Sequence, residues 1–363
     1  YLDFLSGIAV VSLGHSNPVI ASAVSEQLNT LLHVSNFFAN PMATKAALAI
    51  NELMFEASGA HGQVFLCNSG AEANEAALKL ARKFGGRGRH VVISALGSFH
   101  GRTLAALAAT GQPAKHEPFQ PMPDGFRHVP FGDLATLTAA IDPSVAAILI
   151  ETVQGEGGVI PASKEYLQGI RSLCDERGLL MMIDEVQTGM ARTGEWFGFQ
   201  HAGVVPDVVT LAKALGNGFP VGACWAKQEV AAVFQPGDHG STYSGTAIAG
   251  AAICAVINQM RDINAPVLAR DKGLYLAEEL SKVAGVVEVR GQGLLRAVEL
   301  GPNRDAKAVY LELLNQGVVT NAVNATSLRL APPITVSIAE MDEVIAKIAT
   351  ALAKGVGLIA SPA

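Results

Sequence analysis

The chain has 363 residues, of which half are hydrophobic and 16% are charged, and its formal net charge is −6. This length predicts about two domains, and the apolar content is sufficient for a large buried core. The acidic balance without a basic stripe excludes nucleic acid as an expected partner, and no apolar run reaches the roughly 20 residues that a membrane-spanning helix needs.

The four cysteines have neither CxxC spacing nor histidines in a metal-ligand pattern; they are Cys67, Cys174, Cys224 and Cys254. We therefore expect reduced, mostly buried thiols, no metal site and a cytoplasmic protein. The sequence begins at Tyr1 without a methionine, and we expect that further residues precede it.

Short β-type runs alternate with helix-length segments through the first two thirds of the chain. The runs are 64–67, 91–94, 146–150, 180–183, 208–211 and 222–226, and helical apolar spacing fills segments such as 72–84 and 164–177. The alternation predicts an α/β fold, with a mostly parallel sheet covered by helices on both faces. Ligands of such sheets bind outside the carboxyl ends of the strands.

The pattern changes near residue 250 to alanine-rich helices followed by runs at 286–289, 294–300 and 327–330. We predict a large domain over residues 36–248 and a smaller α+β domain over residues 249–363. The N-terminal segment, residues 1–35, is expected to pack with the smaller domain.

A helix is predicted to open just after the first run, where Ser69 and Glu72 fit a capping box. Gly70 would allow an anion to approach the backbone, and the free amides of a helix N-terminus can bind phosphate. An ordinary capped helix without a ligand remains the alternative interpretation.

The segment Ser98-Phe99-His100-Gly101-Arg102-Thr103 follows the second run. Phe99 could stack on an aromatic ligand ring, and Arg102 could bind a carboxylate with two hydrogen bonds. Alternatively, Phe99 belongs to the core and Arg102 to the surface.

The end of the third run is followed by two carboxylates. Glu151 and Glu156 belong to a glycine-rich loop after the third run, and Glu156 needs a cationic partner such as Arg329 if it is functional. The sequence leaves open whether these two residues meet. In a later turn, 239–245, hydroxyl groups could bind phosphate or cap the helix that begins near Thr246.

Lys213 and Asp184 form the strongest pair in the sequence, because each directly follows a predicted strand. An amine in a mostly apolar pocket has a lowered pKa and can attack a carbonyl group. A Schiff-base lysine together with an aspartate for a pyridinium nitrogen is what pyridoxal phosphate chemistry requires of a protein. Val186 could pack on the second face of the ring, and Gln187 could contact the ring oxygen.

In this order, the segments resemble the class III pyridoxal-phosphate aminotransferases, the ornithine aminotransferase-like family. The resemblance extends from Asp3 to about Leu352. It is carried by SGAEANEAALKLAR, FHGRT, QGEGG, DEVQTG, TLAKALGNGFPVGA, HGSTYSG and LRLAPP. It implies fold type I, with a large and a small domain, and a homodimer whose sites are completed at the interface.

The resemblance also implies a role for each matching residue. Lys213 would bind the cofactor and carry the proton, and Asp184 would pair with the ring nitrogen. Phe99 and Val186 would enclose the ring, with His100 and Gln187 also in the cofactor pocket. The phosphate would be bound by Ser69, Gly70 and Ala71, and by Ser241 and Thr242 of the second subunit. Arg102 would bind the α-carboxylate of the donor, and Arg329, masked by Glu156, would bind 2-oxoglutarate.

Three shorter segments, 6–10, 33–38 and 110–115, carry a narrower resemblance within this family, which implies N2-acetyl-L-ornithine as the amino donor, as in bacterial arginine biosynthesis. Ornithine, 4-aminobutyrate, succinylornithine and a succinyldiaminopimelate precursor remain alternative substrates, and an aminomutase remains an alternative reaction. A nicotinamide-dependent dehydrogenase is disfavoured because no GxGxxG follows a predicted strand. The chain departs from the family pattern at Thr152, at Asn217 and over residues 244–247.

Overall fold

The computed structural model of the protein describes residues 1–359, so residues 360–363 of the predicted small domain lie outside the described residues. The helices are α1 (Ser6–Ala9), α2 (Pro18–Leu28), α3 (Pro41–Ser58), α4 (Gly70–Gly85), α5 (Leu104–Ala109), α6 (Pro113–His116), α7 (Leu134–Ala139), α8 (Lys164–Arg177), α9 (Gln228–Ala231), α10 (Ala247–Asp262), α11 (Ala265–Ser281), α12 (Ala306–Asn315) and α13 (Ile338–Ala353).

The strands are β1 (Leu2–Asp3), β2 (Gly62–Cys67), β3 (Val91–Ala95), β4 (Phe126–Val129), β5 (Val145–Glu151), β6 (Val153–Gln154), β7 (Ile160–Pro161), β8 (Leu180–Asp184), β9 (Val208–Leu211), β10 (Gly222–Lys227), β11 (Glu288–Gln292), β12 (Leu295–Glu299), β13 (Val318–Val319), β14 (Asn321–Ala322) and β15 (Ser327–Leu330).

Seven strands form the central sheet in the order β2-β10-β9-β8-β5-β3-β4. All are parallel except β10, which runs antiparallel to both of its neighbours. The predicted α/β fold with a mostly parallel sheet is confirmed. Every residue of β5 and β8 is buried because helices cover both faces of the sheet.

The sheet fixes where the polar strand ends lie. In the register, Glu151 at the end of β5 pairs with Asp184 at the end of β8, and Asp184 pairs with Thr210 of β9. Since these strands are parallel and adjacent, their carboxyl ends place three polar side chains side by side at one edge of the sheet.

A second, antiparallel sheet has the order β11-β12-β15-β14 and lies among the C-terminal helices. The N-terminal residues join this part of the chain, since β1 pairs with β13 and Phe4 accepts a hydrogen bond of 2.7 Å from the Ala331 amide. The predicted boundary at residue 248 falls in the first turn of α10, which packs against α2 and α3. The division into residues 1–35, 36–248 and 249–363 stays a prediction.

Arg192 ties three parts of the chain together. Its buried guanidinium donates to the carbonyls of Leu294 and Pro332, at 3.2 and 2.5 Å, and to the Ser12 hydroxyl at 2.7 Å. Burial without a carboxylate partner lowers the pKa of Arg192 to about 10. The side chain thus links the N-terminal segment and the second sheet to the loop that follows Asp184.

Over residues 1–359, no helix is long and apolar enough to cross a membrane. The same residues contain no group of three or more His, Cys, Asp or Glu side chains that could hold a metal ion. The four cysteines, which lie within this range, are all free thiols.

Candidate active site

A cavity of about 410 Å³ opens at the carboxyl edge of the central sheet. Ten of the predicted site residues line it: Ser69, Gly70, Ala71, Phe99, His100, Arg102, Asp184, Val186, Gln187 and Lys213. Asn74 and Val10, for which no role was predicted, line it too. The structure therefore brings together residues from five separate segments of the chain.

Helix α4 begins at one wall of this cavity. Its N-cap residue is Ser69, whose hydroxyl accepts a 3.2 Å hydrogen bond from the Glu72 amide. The predicted capping box is wrong in its second half, because the Glu72 carboxylate accepts from the backbone and side-chain amides of Asn68, at 3.0 and 2.8 Å, rather than from the Ser69 amide. Glu72 gains two donors in this way instead of one.

The first amides of α4, those of Gly70 and Ala71, have no partner within the helix and lie at the cavity. A helix N-terminus of this kind attracts an anion. A side chain at position 70 would also collide with Val186, since a Cβ atom there would lie 2.9 Å from Cγ1 of Val186. The glycine therefore lets Val186 pack against the start of the helix.

Asp184, at the end of β8, is buried and accepts three hydrogen bonds. Its Oδ2 atom lies 2.8 Å from both Nδ2 of Asn74 and Nδ1 of His100, and its Oδ1 atom accepts from the Val186 amide at 3.0 Å. The Asn74 contact was not predicted, because the two residues are 110 positions apart in the chain.

Lys213 lies just after β9 in a short turn, with a positive φ of 46°. Burial lowers the pKa of its amine to about 8, although Glu156 and Asp184 act in the opposite direction and Arg329 adds to the decrease. A neutral amine, the nucleophilic form, is therefore much more accessible near neutral pH than in an exposed lysine.

Phe99 is held at the cavity by Glu151, whose carboxylate accepts its amide hydrogen at 3.1 Å. The guanidinium of Arg102 lies 5.5 Å from the centre of the Phe99 ring, and Arg102 is exposed at the rim. The amine of Lys115 lies 5.8 Å from the same ring. Phe99 is thus a cavity wall with two cations beside it, rather than a core residue.

Glu156 and Arg329 do meet. Nη1 of the fully buried Arg329 lies 2.5 Å from Oε1 of Glu156 and 3.3 Å from Oε1 of Gln187, which lines the cavity. Burial alone would raise the pKa of Glu156, but the charge and hydrogen bond of Arg329, with Lys213 and Lys115, hold it below its usual value. The pair therefore lies directly behind the cavity wall as an ion pair.

The hydroxyl groups of the turn at residues 239–245 have different surroundings. Ser241 reaches the beginning of α4, where its hydroxyl accepts from the Asn68 side chain at 3.1 Å, but Thr242 is exposed and lies outside the cavity lining. The hydroxyl of Ser244 binds the Leu66 carbonyl, and Thr246 itself is the N-cap of α10. None of the hydroxyls of residues 241–244 is the cap of that helix.

Asn217 and Thr152, two of the positions at which the chain departs from the family pattern, have distinct surroundings. Asn217 has a φ of 47°, a left-handed conformation that asparagine tolerates better than most residues. It accepts from the Leu13 amide at 2.7 Å and donates to the Gly14 carbonyl at 3.1 Å. The Thr152 hydroxyl is buried and has no hydrogen-bond partner within residues 1–359.

The cavity fits a phosphorylated aldehyde that carries a basic ring nitrogen. The start of α4 can take a phosphate group, Lys213 has the lowered pKa of a carbonyl-attacking amine, and Oδ1 of Asp184 retains acceptor capacity. An enzyme that uses pyridoxal 5′-phosphate needs these three groups around one space. The fold and the site thus define a pyridoxal-phosphate-dependent enzyme.

Comparison with known proteins identifies the family. The profile described as Aminotransferase class-III matches residues 1–352, and the chain belongs to this family. Its cofactor is pyridoxal 5′-phosphate. The chain is 46% identical to the acetylornithine aminotransferase of Corynebacterium efficiens, over 98% of this chain and 88% of that protein. It is 43% identical to the enzyme of the same name from Bacillus subtilis, over 97% of this chain and 90% of that protein.

Solved structures share the fold. An ornithine aminotransferase from Toxoplasma gondii, described with partial occupancy of PLP at its active site, superposes with a TM-score of 0.90 at 32% identity, covering 96% of this chain and 85% of that chain. A transaminase from the marine bacterium Virgibacillus gives 0.93 at 30% identity, covering 98% and 88%. The fold is that of the fold type I pyridoxal-phosphate enzymes.

Proposed function

We propose that the protein transfers the δ-amino group of N2-acetyl-L-ornithine to 2-oxoglutarate. The products are N-acetyl-L-glutamate 5-semialdehyde and L-glutamate, and the reaction belongs to arginine biosynthesis in the cytoplasm. The observation that carries this proposal is the ion pair of Glu156 with Arg329 behind a cavity that also holds Arg102. The names of the most similar relatives support the same activity.

Each residue around the cavity would bind a different part of the cofactor. Bound pyridoxal phosphate supplies an aldehyde that takes up the amino group and a ring that withdraws electrons from the reacting carbon. Lys213 Nζ holds and returns the proton, since its lowered pKa lets it act as a base near neutral pH. Asp184 would pair with the ring nitrogen, while Phe99 and Val186 would enclose the ring and exclude water.

The start of α4 would hold the phosphate group through the amides of Gly70 and Ala71 and the hydroxyl of Ser69. Gln187 would contact the ring oxygen. The adjacent Gly155 leaves room for this side chain, since a Cβ atom there would lie 2.4 Å from the Gln187 amide group. The gathering of these side chains around one cavity supports the proposed roles.

The substrates differ in charge beside the reacting carbon, which carries a carboxylate in glutamate and 2-oxoglutarate but only hydrogen in acetylornithine. Acetylornithine offers one carboxylate and a neutral amide, whereas glutamate and 2-oxoglutarate offer two carboxylates. Arg102 at the rim binds the carboxylate that acetylornithine possesses. Arg329 binds the second carboxylate of the dicarboxylates, and Glu156 neutralises this cation when no second carboxylate is present.

We also propose that the active unit is a homodimer. Thr242 is exposed beside the beginning of α4, together with large apolar side chains such as Phe37 and Phe38, which are 92% and 69% exposed. In the dimer, the partner chain would cover these groups, and its Ser241 and Thr242 would complete the phosphate site. Sedimentation of the purified protein tests this, since a monomer that retained full activity would contradict it.

One assay tests the reaction. Purified protein is mixed with acetylornithine and 2-oxoglutarate, and glutamate formation is followed together with the absorbance of the cofactor. Ornithine, 4-aminobutyrate, succinylornithine and succinyldiaminopimelate serve as competing donors at equal concentration. A kcat/KM that is largest for acetylornithine supports the proposal, and a larger value for any competitor assigns the activity to that donor instead.

A further inference from the structure

We propose that Asn74 is a positioning residue, which presents a single oxygen of Asp184, the Oδ1 atom, to the ring nitrogen of pyridoxal phosphate. Asn74 lies in α4, one turn after Gly70, and its side chain faces the same cavity. This role rests on the binding of pyridoxal phosphate, but it is the same whichever amino donor and acceptor the protein uses.

Asn74 is only 1% exposed, and both the nitrogen and the oxygen of its side-chain amide are hydrogen-bonded. Its Nδ2 group donates to Oδ2 of Asp184 at 2.8 Å and to the His100 carbonyl at 2.7 Å, and its Oδ1 atom accepts from the Thr210 hydroxyl at 2.9 Å. The amide orientation is fixed by this set, because a flipped amide would turn its oxygen toward a carboxylate and a carbonyl.

The contacts on Asp184 are unequal between its two oxygens. Oδ2 receives two donors, from Asn74 and His100, whereas Oδ1 receives only the Val186 amide at 3.0 Å. A carboxylate oxygen can accept about two hydrogen bonds, so Oδ2 is saturated and Oδ1 has capacity for one more. The protein groups therefore leave Oδ1 as the oxygen that can take a ring N–H.

The location of Asn74 is costly for the helix itself. Asparagine is an unfavourable residue in a helix interior, and its burial is tolerated only with hydrogen-bond partners. A leucine in this position would need no partners itself, but it would leave Oδ2 of Asp184 with His100 as its one remaining donor among these contacts. The same helix also begins at the phosphate position, so α4 sets both the phosphate site and the orientation of Asp184.

The test uses the full-length protein and pyridoxal phosphate itself, without an amino donor. Asn74→Leu removes both donated hydrogen bonds. Thr210→Val removes only the hydroxyl that orients the Asn74 amide, and Thr210→Ser keeps that hydroxyl but removes a buried methyl group. For each variant, the pyridoxal phosphate dissociation constant, the visible absorption spectrum of the bound cofactor with its pH dependence, and the melting temperature of the apoprotein are measured.

We expect Asn74→Leu to weaken pyridoxal phosphate binding about tenfold or more, the effect of losing a hydrogen bond to a charged group, and to shift the pH midpoint of the bound spectrum. Thr210→Val should change the spectrum in the same direction by a smaller amount, and Thr210→Ser should leave it at the wild-type value. A packing role predicts the reverse order for the two Thr210 variants.

Leu78→Ala is the structural control, since Leu78 is a buried residue of α4 that lies outside the cavity lining. It should lower the melting temperature of the apoprotein and leave the bound spectrum unchanged. The proposal is overturned if Thr210→Ser alters the spectrum as much as Thr210→Val, if Leu78→Ala reproduces the spectrum of Asn74→Leu, or if Asn74→Leu binds the cofactor with wild-type affinity and spectrum.

Discussion

The Glu156 carboxylate and the Arg329 guanidinium form an ion pair with an oxygen–nitrogen distance of 2.5 Å, although the residues are 173 positions apart. The two partners are buried unequally, because the Arg329 side chain is fully buried and that of Glu156 is 28% exposed. We therefore expect Glu156 to be the partner that moves when a substrate carboxylate binds to Arg329.

Glu156→Gln should change the choice of amino donor more than the affinity for the cofactor. The substitution removes the charge that neutralises Arg329, so kcat/KM for glutamate should rise relative to acetylornithine by about tenfold, or 1.4 kcal/mol. The dissociation constant of pyridoxal phosphate should change little. Equal losses for both donors, measured in separate half-reactions, would contradict the switch.

Lys213→Ala should abolish transamination while the protein still folds, because no other amine replaces Lys213 in the cavity lining. Borohydride reduction of the reconstituted wild-type protein, followed by peptide mapping, should place the pyridoxyl group on Lys213 alone. A label at another lysine, or near-normal turnover by the alanine variant, would refute this role.

The attachment of pyridoxal phosphate to the apoprotein should become faster as the pH rises from 6 to 9. The reactive form of Lys213 is the neutral amine, whose fraction increases through its lowered pKa of about 8. The rate, followed by absorbance, should therefore have its midpoint near pH 8 instead of near the ordinary lysine value. A rate that keeps rising steeply above pH 9 would show that Lys213 is not desolvated.

The apoprotein should lose stability between about pH 4.5 and pH 7 in part because of Glu151. Burial raises the pKa of this carboxyl from 4.5 to about 7. Over that interval the folded protein retains a proton that the unfolded chain releases, so the free energy of unfolding falls with rising pH, by up to about 1.4 kcal/mol per unit. Below pH 4.5 and above pH 7 the contribution is constant.

Glu151→Gln should make this part of the pH dependence disappear. Glu185, whose pKa burial likewise raises to about 7, should contribute its own share, so that about half of the combined slope of the two carboxyls remains in the variant. Urea unfolding at several pH values measures both effects. An unchanged slope in Glu151→Gln would mean that the carboxyl is ionised in the folded apoprotein.

Asn217→Ala and Asn217→Gly form a matched pair of variants. Both remove the two hydrogen bonds to Leu13 and Gly14, but only alanine is strained at a φ of 47°. Asn217→Ala should therefore be less stable than Asn217→Gly by about 1 kcal/mol in urea unfolding. Equal stabilities would show that the turn relaxes when the asparagine is replaced.

The sequence predicted the part of the site that lies close to strand ends. Asp184, Lys213 and Ser69 all follow short apolar runs, and parallel strands bring such positions to one edge of the sheet. The position of β9, residues 208–211, was predicted without error for the same reason. Strand β4, Phe126-Arg127-His128-Val129, was missed because its two central residues are polar.

The contacts that depend on tertiary packing were beyond the sequence. The meeting of Glu156 with Arg329 requires the second sheet to lie against the glycine-rich loop, which no local pattern specifies. The hydrogen bond from Asn74 to Asp184 depends on the rotation of α4 about its axis. Asn74 could have been noticed as an amide on the buried side of an otherwise alanine-rich helix.

The reversed direction of β10 has a mechanical consequence for Lys213. Strands β9 and β10 are adjacent and antiparallel, so the connection that carries the amine is a hairpin whose two ends are fixed in the middle of the sheet. The backbone of this connection has little freedom to move. Just after it, Gly222 lies so close to the Ser69 carbonyl that a Cβ atom would come within 2.4 Å of the oxygen. We therefore expect the Lys213 amine to move between the cofactor and the reacting carbon by rotation about the bonds of its side chain, while the main chain stays in place.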